Sequence, residues 1–218
     1  MDLERLRDLK IPKKQEERNK VLKDALATKN PLLIEFALSI GADPKEGGKT
    51  LLEYEVQQGN LEMVKKLVPT IKAGKTTAMW MAIQNDQIEI GEWLLKENTV
   101  MHISRDNTDK HMHTIVKLLK QMPEAKAKIE YGALLKTLFF DDGAESLRTL
   151  LETLKRNESK SVFEKMLVEL ADDTVDTSRV DCMEVMVQFG LNVAYVNTKY
   201  CQSKEMRKFM KEHGARID

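Results

Sequence analysis

A helix-sized pattern that returns after 27 residues constrains this chain more than any other feature of its sequence. Residues 48–68 read GKTLLEYEVQQGNLEMVKKLV and residues 75–95 read KTTAMWMAIQNDQIEIGEWLL. Thr50, Leu52, Leu61, Glu62, Val64 and Leu67 of the first are answered by Thr77, Met79, Ile88, Glu89, Gly91 and Leu94 of the second. Each copy holds a short apolar segment, a polar break (Gln57-Gln58-Gly59-Asn60, then Gln84-Asn85-Asp86-Gln87) and a second segment with apolar residues at helical spacing. The pattern predicts a helix, a tight turn and a helix. Such a pair cannot bury its apolar face alone, so stability has to come from stacked neighbours.

The second helix recurs with a glycine at its end. PLLIEFALSIGADP (31–44) stops at Gly41-Ala42-Asp43-Pro44, DCMEVMVQFGLNV (181–193) at Gly190 and SKEMRKFMKEHGARID (203–218) at Gly214-Ala215. Glycine suits these stops because the residue after a helix often turns left-handed, where other side chains meet a steric penalty. Weaker copies lie at 113–123, stopped by Pro123, and at 143–154, preceded by the apolar stretch YGALLKTLFF. Seven second helices are expected, at 31–40, 61–68, 87–96, 113–122, 144–155, 180–189 and 204–213.

These residues resemble the ankyrin repeat, a two-helix unit with a T-P-L-H-x-A signature. Thr50-Leu51-Leu52-Glu53-Tyr54-Glu55 keeps the Thr and Leu, and Thr77-Ala78-Met79-Trp80-Met81-Ala82 keeps the Thr and Ala. Gly59 and Glu62 match the break and the start of the second helix, and Gly41-Ala42-Asp43 and Gly214-Ala215-Arg216 match the closing G-A-D. The resemblance covers residues 20–96 and 180–218; residues 97–179 show only a helical rhythm. The short offset implies trimmed hairpins between pairs, and Phe139 and Phe140 stand where the family has small alanines, so the middle pairs must pack differently. A generic two-helix solenoid of the HEAT or TPR kind is the competing reading. The expected fold class is all-α, an α-solenoid of about seven helix-turn-helix pairs forming a single domain over 1–218. Residues 1–29, with a basic polar helix around Lys13–Lys29, and residues 198–218 are expected to cap its ends. No appended catalytic segment is expected, since the last repeat runs to within four residues of the end of the sequence.

Composition narrows the class of work. Of 218 residues 42% are hydrophobic, enough for a core, and 35 Lys and Arg balance 35 Asp and Glu, which argues against a dedicated nucleic-acid binder. The charged start MDLERLRDLKIPKK lacks the apolar core of a secretory signal, and no apolar run reaches the length of a membrane span. Two cysteines point to a reducing compartment, so a cytoplasmic protein is expected, with the nucleus or a host cell's cytosol as other settings.

Each cluster with chemical potential has a plainer reading. His102, His111 and His113, with Asp106 and Asp109, lie in a stretch (98–113) read as an irregular inter-repeat loop; a His-x-His pair shares one side of a strand but not of a helix. Cys182 and Cys201 lack a Cys/His signature and read as buried structural thiols. Gly74-Lys75-Thr76-Thr77 has the ending of a phosphate loop, but Pro69 occupies the place of its first Gly, so Thr76, like Thr50, is assigned to holding the turn before its helix. Charge is unevenly spread: 12 acids against 6 bases over 139–184, and five lysines against one glutamate over 110–128. Such runs are solvated faces, or patches that steer a complementary protein.

The reading that fits is a non-enzymatic scaffold or adaptor, a monomer that binds another protein, with no catalytic residue, metal ligand or cofactor and neither nucleic acid nor membrane as partner. The resemblance places the partner on the concave side. Carried over by position, its contacts are Lys49, Gln57 and Gln58 in one copy and Thr76, Gln84 and Asn85 in the next, with Tyr54 and Trp80 as aromatic anchors. The alternatives are a metal-dependent or regulatory enzyme built from the 98–113 loop and the 139–176 acids, and a nucleic-acid-binding helical-repeat protein.

Overall fold

The computed structural model describes residues 11–199 and 201–217. The parts of the expected caps that fall on residues 1–10, 200 and 218 lie outside it. Among the described residues there are twelve α-helices and two three-residue strands, an all-α helical-repeat fold. No described helix is long and apolar enough to cross a membrane. The chain divides into two compact units, Met1–Leu94 and Leu95–Asp218.

The first unit is three helical pairs: α1 (Gln15–Thr28) with α2 (Pro31–Ser39), α3 (Gly48–Gln57) with α4 (Leu61–Leu67), and α5 (Gly74–Gln84) with α6 (Ile88–Lys96). Helix α3 packs on both α4 and α5. It buries Leu51, Leu52, Glu55 and Val56 on one side, the spacing of an amphipathic stripe.

The 27-residue offset reappears in the hydrogen bonds of the turns. The amides of Gln58, Gly59, Asn60 and Leu61 donate to the carbonyls of Tyr54, Val56, Glu55 and Gly59. Those of Asn85, Asp86, Gln87 and Ile88 donate to Met81, Ile83, Ala82 and Asp86, the same set displaced by one repeat. Gly59 and Asp86 hold the left-handed position, with φ of 70° and 54°. The next residue then starts the following helix. Asn60 Oδ1 accepts from the Met63 amide at 3.2 Å, and at the first pair Asn30 Oδ1 accepts from the Leu32 amide at 3.1 Å. Gln87 has a different use: its Nε2 donates to the Gln57 carbonyl at 3.2 Å and so ties two successive turns together.

The expected glycine stops have the same physical basis. Gly41, Gly190 and Gly214 sit at φ of 87°, 99° and 93°, and each sends its amide back to the helix, as does the residue that follows it. For Gly41 and Ala42 the acceptors are Leu38 and Ala37, for Gly190 and Leu191 they are Val187 and Met186, and for Gly214 and Ala215 they are Lys211 and Met210. This double closure satisfies carbonyls that would otherwise be orphaned at the helix end.

The threonines do not hold the turns they were assigned to. Thr50 and Thr76 are exposed, and the residues preceding α3 and α5, Gly47 and Ala73, make no side-chain cap. What shapes the entry to α5 is close backbone approach, since a Cβ at Gly74 would lie 2.4 Å from the Val68 carbonyl oxygen.

In the second unit β1 (Met101–Ile103), α7 (Arg105–Gln121) and β2 (Ala127–Ile129) come first, followed by α8 (Tyr131–Thr137), α9 (Gly143–Asn157), α10 (Lys160–Thr177), α11 (Val180–Gln188) and α12 (Lys204–Glu212). The strands are parallel, with Met101 opposite Ala127 and Ile103 opposite Ile129, and α7 forms the crossover that parallel pairing requires. Helix α9 lies at the centre, packed against α7, α8, α10, α11 and β2. It buries Leu147, Leu150, Leu151 and Leu154, and its buried Thr149 and Thr153 donate their hydroxyls to the carbonyls of Glu145 and Thr149. All seven expected second helices are present. Five follow a helical partner, whereas α7 follows β1 and the element preceding α12 is a short 3-10 turn at Val193–Tyr195.

The stretch 98–113 is therefore not an irregular loop. Met101 and Ile103 are fully buried against β2, and Thr108, Met112, Ile115, Val116 and Leu119 form the buried stripe of α7.

The left-handed closures can be tested in both directions. A Cβ at Gly190 would meet no atom within 4 Å, so Gly190→Ala tests the left-handed backbone alone and lowers stability by about 1 kcal/mol. Ser178, exposed at φ 59°, is the mirror case, and Ser178→Gly raises stability by up to about the same amount. Urea unfolding of both variants beside the native chain reads the two signs.

A different prediction concerns Glu55, a carboxylate only 4% exposed whose Oε2 accepts from Asn60 Nδ2 at 2.7 Å. Burial, opposed by the Asn60 bond and reinforced by Glu35, pushes its pKa above the ordinary glutamate value. The folded state therefore holds this proton more tightly than the unfolded chain. Its contribution is fully favourable below the ordinary carboxylate range and is lost as pH rises through the folded value. Glu55→Gln is expected to be more stable than the native chain at neutral pH, and the gap is expected to close on acidification, as read by thermal melts across pH.

Candidate functional site

Helix α3 carries the first candidate surface because its unburied residues fall on one stripe. Thr50, Glu53, Tyr54 and Gln57 are spaced by three and four, so they share the face opposite Leu51, Leu52 and Val56. That face borders a cleft of about 220 Å³ whose other wall comes from the α1–α2 pair, through Leu26, Lys29, Pro31 and Ile34. Tyr54, half-buried, Gln57 and Gln58 line it. Burial, with the carboxylates of Glu55 and Glu35, raises the Tyr54 pKa above the ordinary tyrosine value. Lys49 stands exposed at the start of the helix, 3.6 Å from the Glu53 carboxylate.

On α5, Thr76, Trp80 and Gln84 recur at intervals of four and form the corresponding stripe. Thr76 and Gln84 are exposed and Trp80 is half-buried, while Ala78, Met79, Met81, Ala82 and Ile83 are buried. Asn85 is half-buried, and its Nδ2 donates to the Met81 carbonyl at 2.8 Å, which commits this side chain to closing the helix. The eight expected positions thus occupy the exposed stripes of two packed helices and the turns that follow them. Lys29 and Pro31 were not anticipated in the cleft, because they come from a neighbouring pair and nothing in their own repeat marks them.

The histidines of the alternative reading fall on two elements. His102 is exposed on β1, whereas His111 and His113 stand two residues apart on α7, roughly 200° around the helix. Asp109 pairs with Lys136 at 2.5 Å. Among the described residues no group of three His, Cys, Asp or Glu side chains is placed to hold a metal ion. Many of the 139–184 acids are engaged locally: Glu145 with Lys120 at 2.6 Å, Asp181 with Arg179 at 2.7 Å, and Asp172 with the Asn197 amide at 2.7 Å.

Cys182 and Cys201 are both fully buried. Burial, with Asp181 nearby, pushes the Cys182 thiol up to about 11, and burial raises Cys201 as well. Neither is a thiolate at neutral pH, so neither has the character of a nucleophile.

Among known families, the ankyrin-repeat model matches residues 22–106 in three copies, the stretch that contains the pairs α3–α4 and α5–α6. No curated protein and no solved structure matches the chain. Ankyrin repeats are generally protein–protein interaction modules, and the family is typically non-enzymatic. Residues 22–106 of this chain are ankyrin repeats.

Proposed function

We propose that this chain is a non-enzymatic adaptor that holds a partner protein on the exposed stripes of α3 and α5. The observation that carries this reading is the cleft beside α3. Within the ankyrin stretch it combines apolar walls from Leu26, Pro31 and Ile34 with a half-buried tyrosine and the polar side chains of Gln57 and Gln58. A tyrosine in such a setting offers a large apolar body and a hydrogen-bonding tip at low entropic cost, the combination that dominates interface energies. Trp80 on α5 is the second anchor, with Lys49, Thr76 and Gln84 as the polar rim. Asn85 shapes the turn rather than reaching the partner. The working compartment is the cytoplasm, where two unpaired thiols stay reduced.

The test is affinity capture from cell lysate with the native chain, the Trp80→Ala, Gln57→Arg double variant and Tyr54→Ala, each checked for its helical signal. A partner held by the native chain is expected to be lost by the double variant, and its affinity to fall at least about tenfold with Tyr54→Ala. Equal capture by all three proteins would place the interface elsewhere.

A further inference from the structure

The second unit displays a phenylalanine that its fold goes to some length to fix in place. Phe139 is 71% exposed in the turn between α8 and α9. A single exposed apolar side chain is ordinary, but the backbone on both sides of this one is clamped. Arg179 Nη1 donates to the Leu138 carbonyl at 2.8 Å and to the Phe140 carbonyl at 2.7 Å. The guanidinium is itself held by both carboxylate oxygens of Asp181, through Nε at 2.9 Å and Nη2 at 2.7 Å. The turn is also tight, because a Cβ at Gly143 would lie 1.9 Å from the Thr137 carbonyl oxygen. An aromatic ring on a rigid mount loses little entropy on binding, which distinguishes an anchor from a stray apolar residue.

Phe139 stands at the edge of a cleft of about 520 Å³ between α8 and α10. Its floor is Gly132, Leu135 and Leu138, and its far wall is Asp173 and Asp176 from α10. The charges around it do not cancel. Lys136 is already matched by Asp109, and Tyr131 donates its hydroxyl to Asp173. That leaves Arg105 as the cation of the cleft against two aspartates, with exposed Asp141 and Asp142 beside Phe139 in the same turn.

We propose that this cleft docks a segment of another protein in which a large apolar side chain stands next to a lysine or arginine. The apolar group packs on Phe139 and Leu135, and the neighbouring cation faces Asp173 and Asp176. The acidic surroundings exclude segments of the opposite charge, which supplies specificity as well as attraction. The surface belongs wholly to the second unit and, apart from Arg105, lies outside the ankyrin stretch, and it shares no residue with the α3 and α5 stripes.

The experiment measures fluorescence polarisation of two pools of labelled short peptides against the full chain. Both pools carry a central Leu or Phe, flanked by Lys and Arg in one pool and by Glu in the other. The basic pool is expected to bind saturably, and Phe139→Ser and Asp176→Lys, both at exposed positions, each to weaken it by at least about tenfold with the helical signal unchanged. Tyr54→Ala is expected to leave it unaltered, which separates this surface from the one on the first unit. Absence of saturable binding, equal binding of the acidic pool, or native affinity in either cleft variant overturns the proposal. So does a dimer in sedimentation that Phe139→Ser dissolves, because the cleft then belongs to a second copy of the chain.

Discussion

A helix that must reverse direction within a few residues has to satisfy its own last carbonyls, and the architecture of this chain depends on how that is done. Placing one residue at positive φ lets two successive amides fold back onto the helix they have just left, at Gly41, Gly59, Asp86, Gly190 and Gly214 alike. The closure leaves no slack between α3 and α4 or between α5 and α6. Each second helix therefore leaves its turn in a set direction, and the first helix keeps one stripe facing solvent. The candidate surface on α3 is a consequence of that geometry: Tyr54 and Gln57 are left to line the cleft because Leu51, Leu52 and Val56 are spent on the core. Asp86 shows that the position matters more than the residue, since an aspartate there adopts the backbone a glycine takes at Gly59.

Much of this was legible in the residues themselves. The offset between Gly59-Asn60 and Asp86-Gln87 is a local pattern, and each turn makes its hydrogen bonds with its own neighbours, so the repeat could be read without knowing what packs where. The glycine stops were legible for the same reason. The strands were not. Met101-His102-Ile103 and Ala127-Lys128-Ile129 alternate buried, exposed, buried, but three residues are too few to establish a period of two, and their pairing spans the whole of α7. Once Met101 and Ile103 are committed to that pairing, the alternation of the strand leaves His102 exposed on its other face.

The candidate surface was partly legible. Tyr54, Gln57 and Gln58 belong to one helix and its turn, so position within the repeat sufficed to bring them together. Their companions Leu26, Lys29 and Pro31 come from a different pair, and only stacking reveals them. The same limit hid Arg179. Its repeat position corresponds to a helix cap, yet its side chain reaches about forty residues back to the turn after α8, a contact of tertiary origin. Phe139 and Phe140 stand out in the sequence as a departure from the pattern, but it does not tell which one faces water: Phe139 does, and Phe140 is half-buried.

Gln87 bears on how far the repeats of the first unit are interchangeable. Its amide lies where a side chain at Gly59 would begin, 2.8 Å from that imagined Cβ, and from there it reaches the Gln57 carbonyl. The missing side chain of one repeat is thus the socket for the present side chain of the next. A third pair transplanted onto a neighbour without that glycine would arrive with its helices intact and its plug displaced. Modularity in this stack is directional: each repeat has to be chosen with its successor in view, and the unit of exchange is the junction rather than the helix pair.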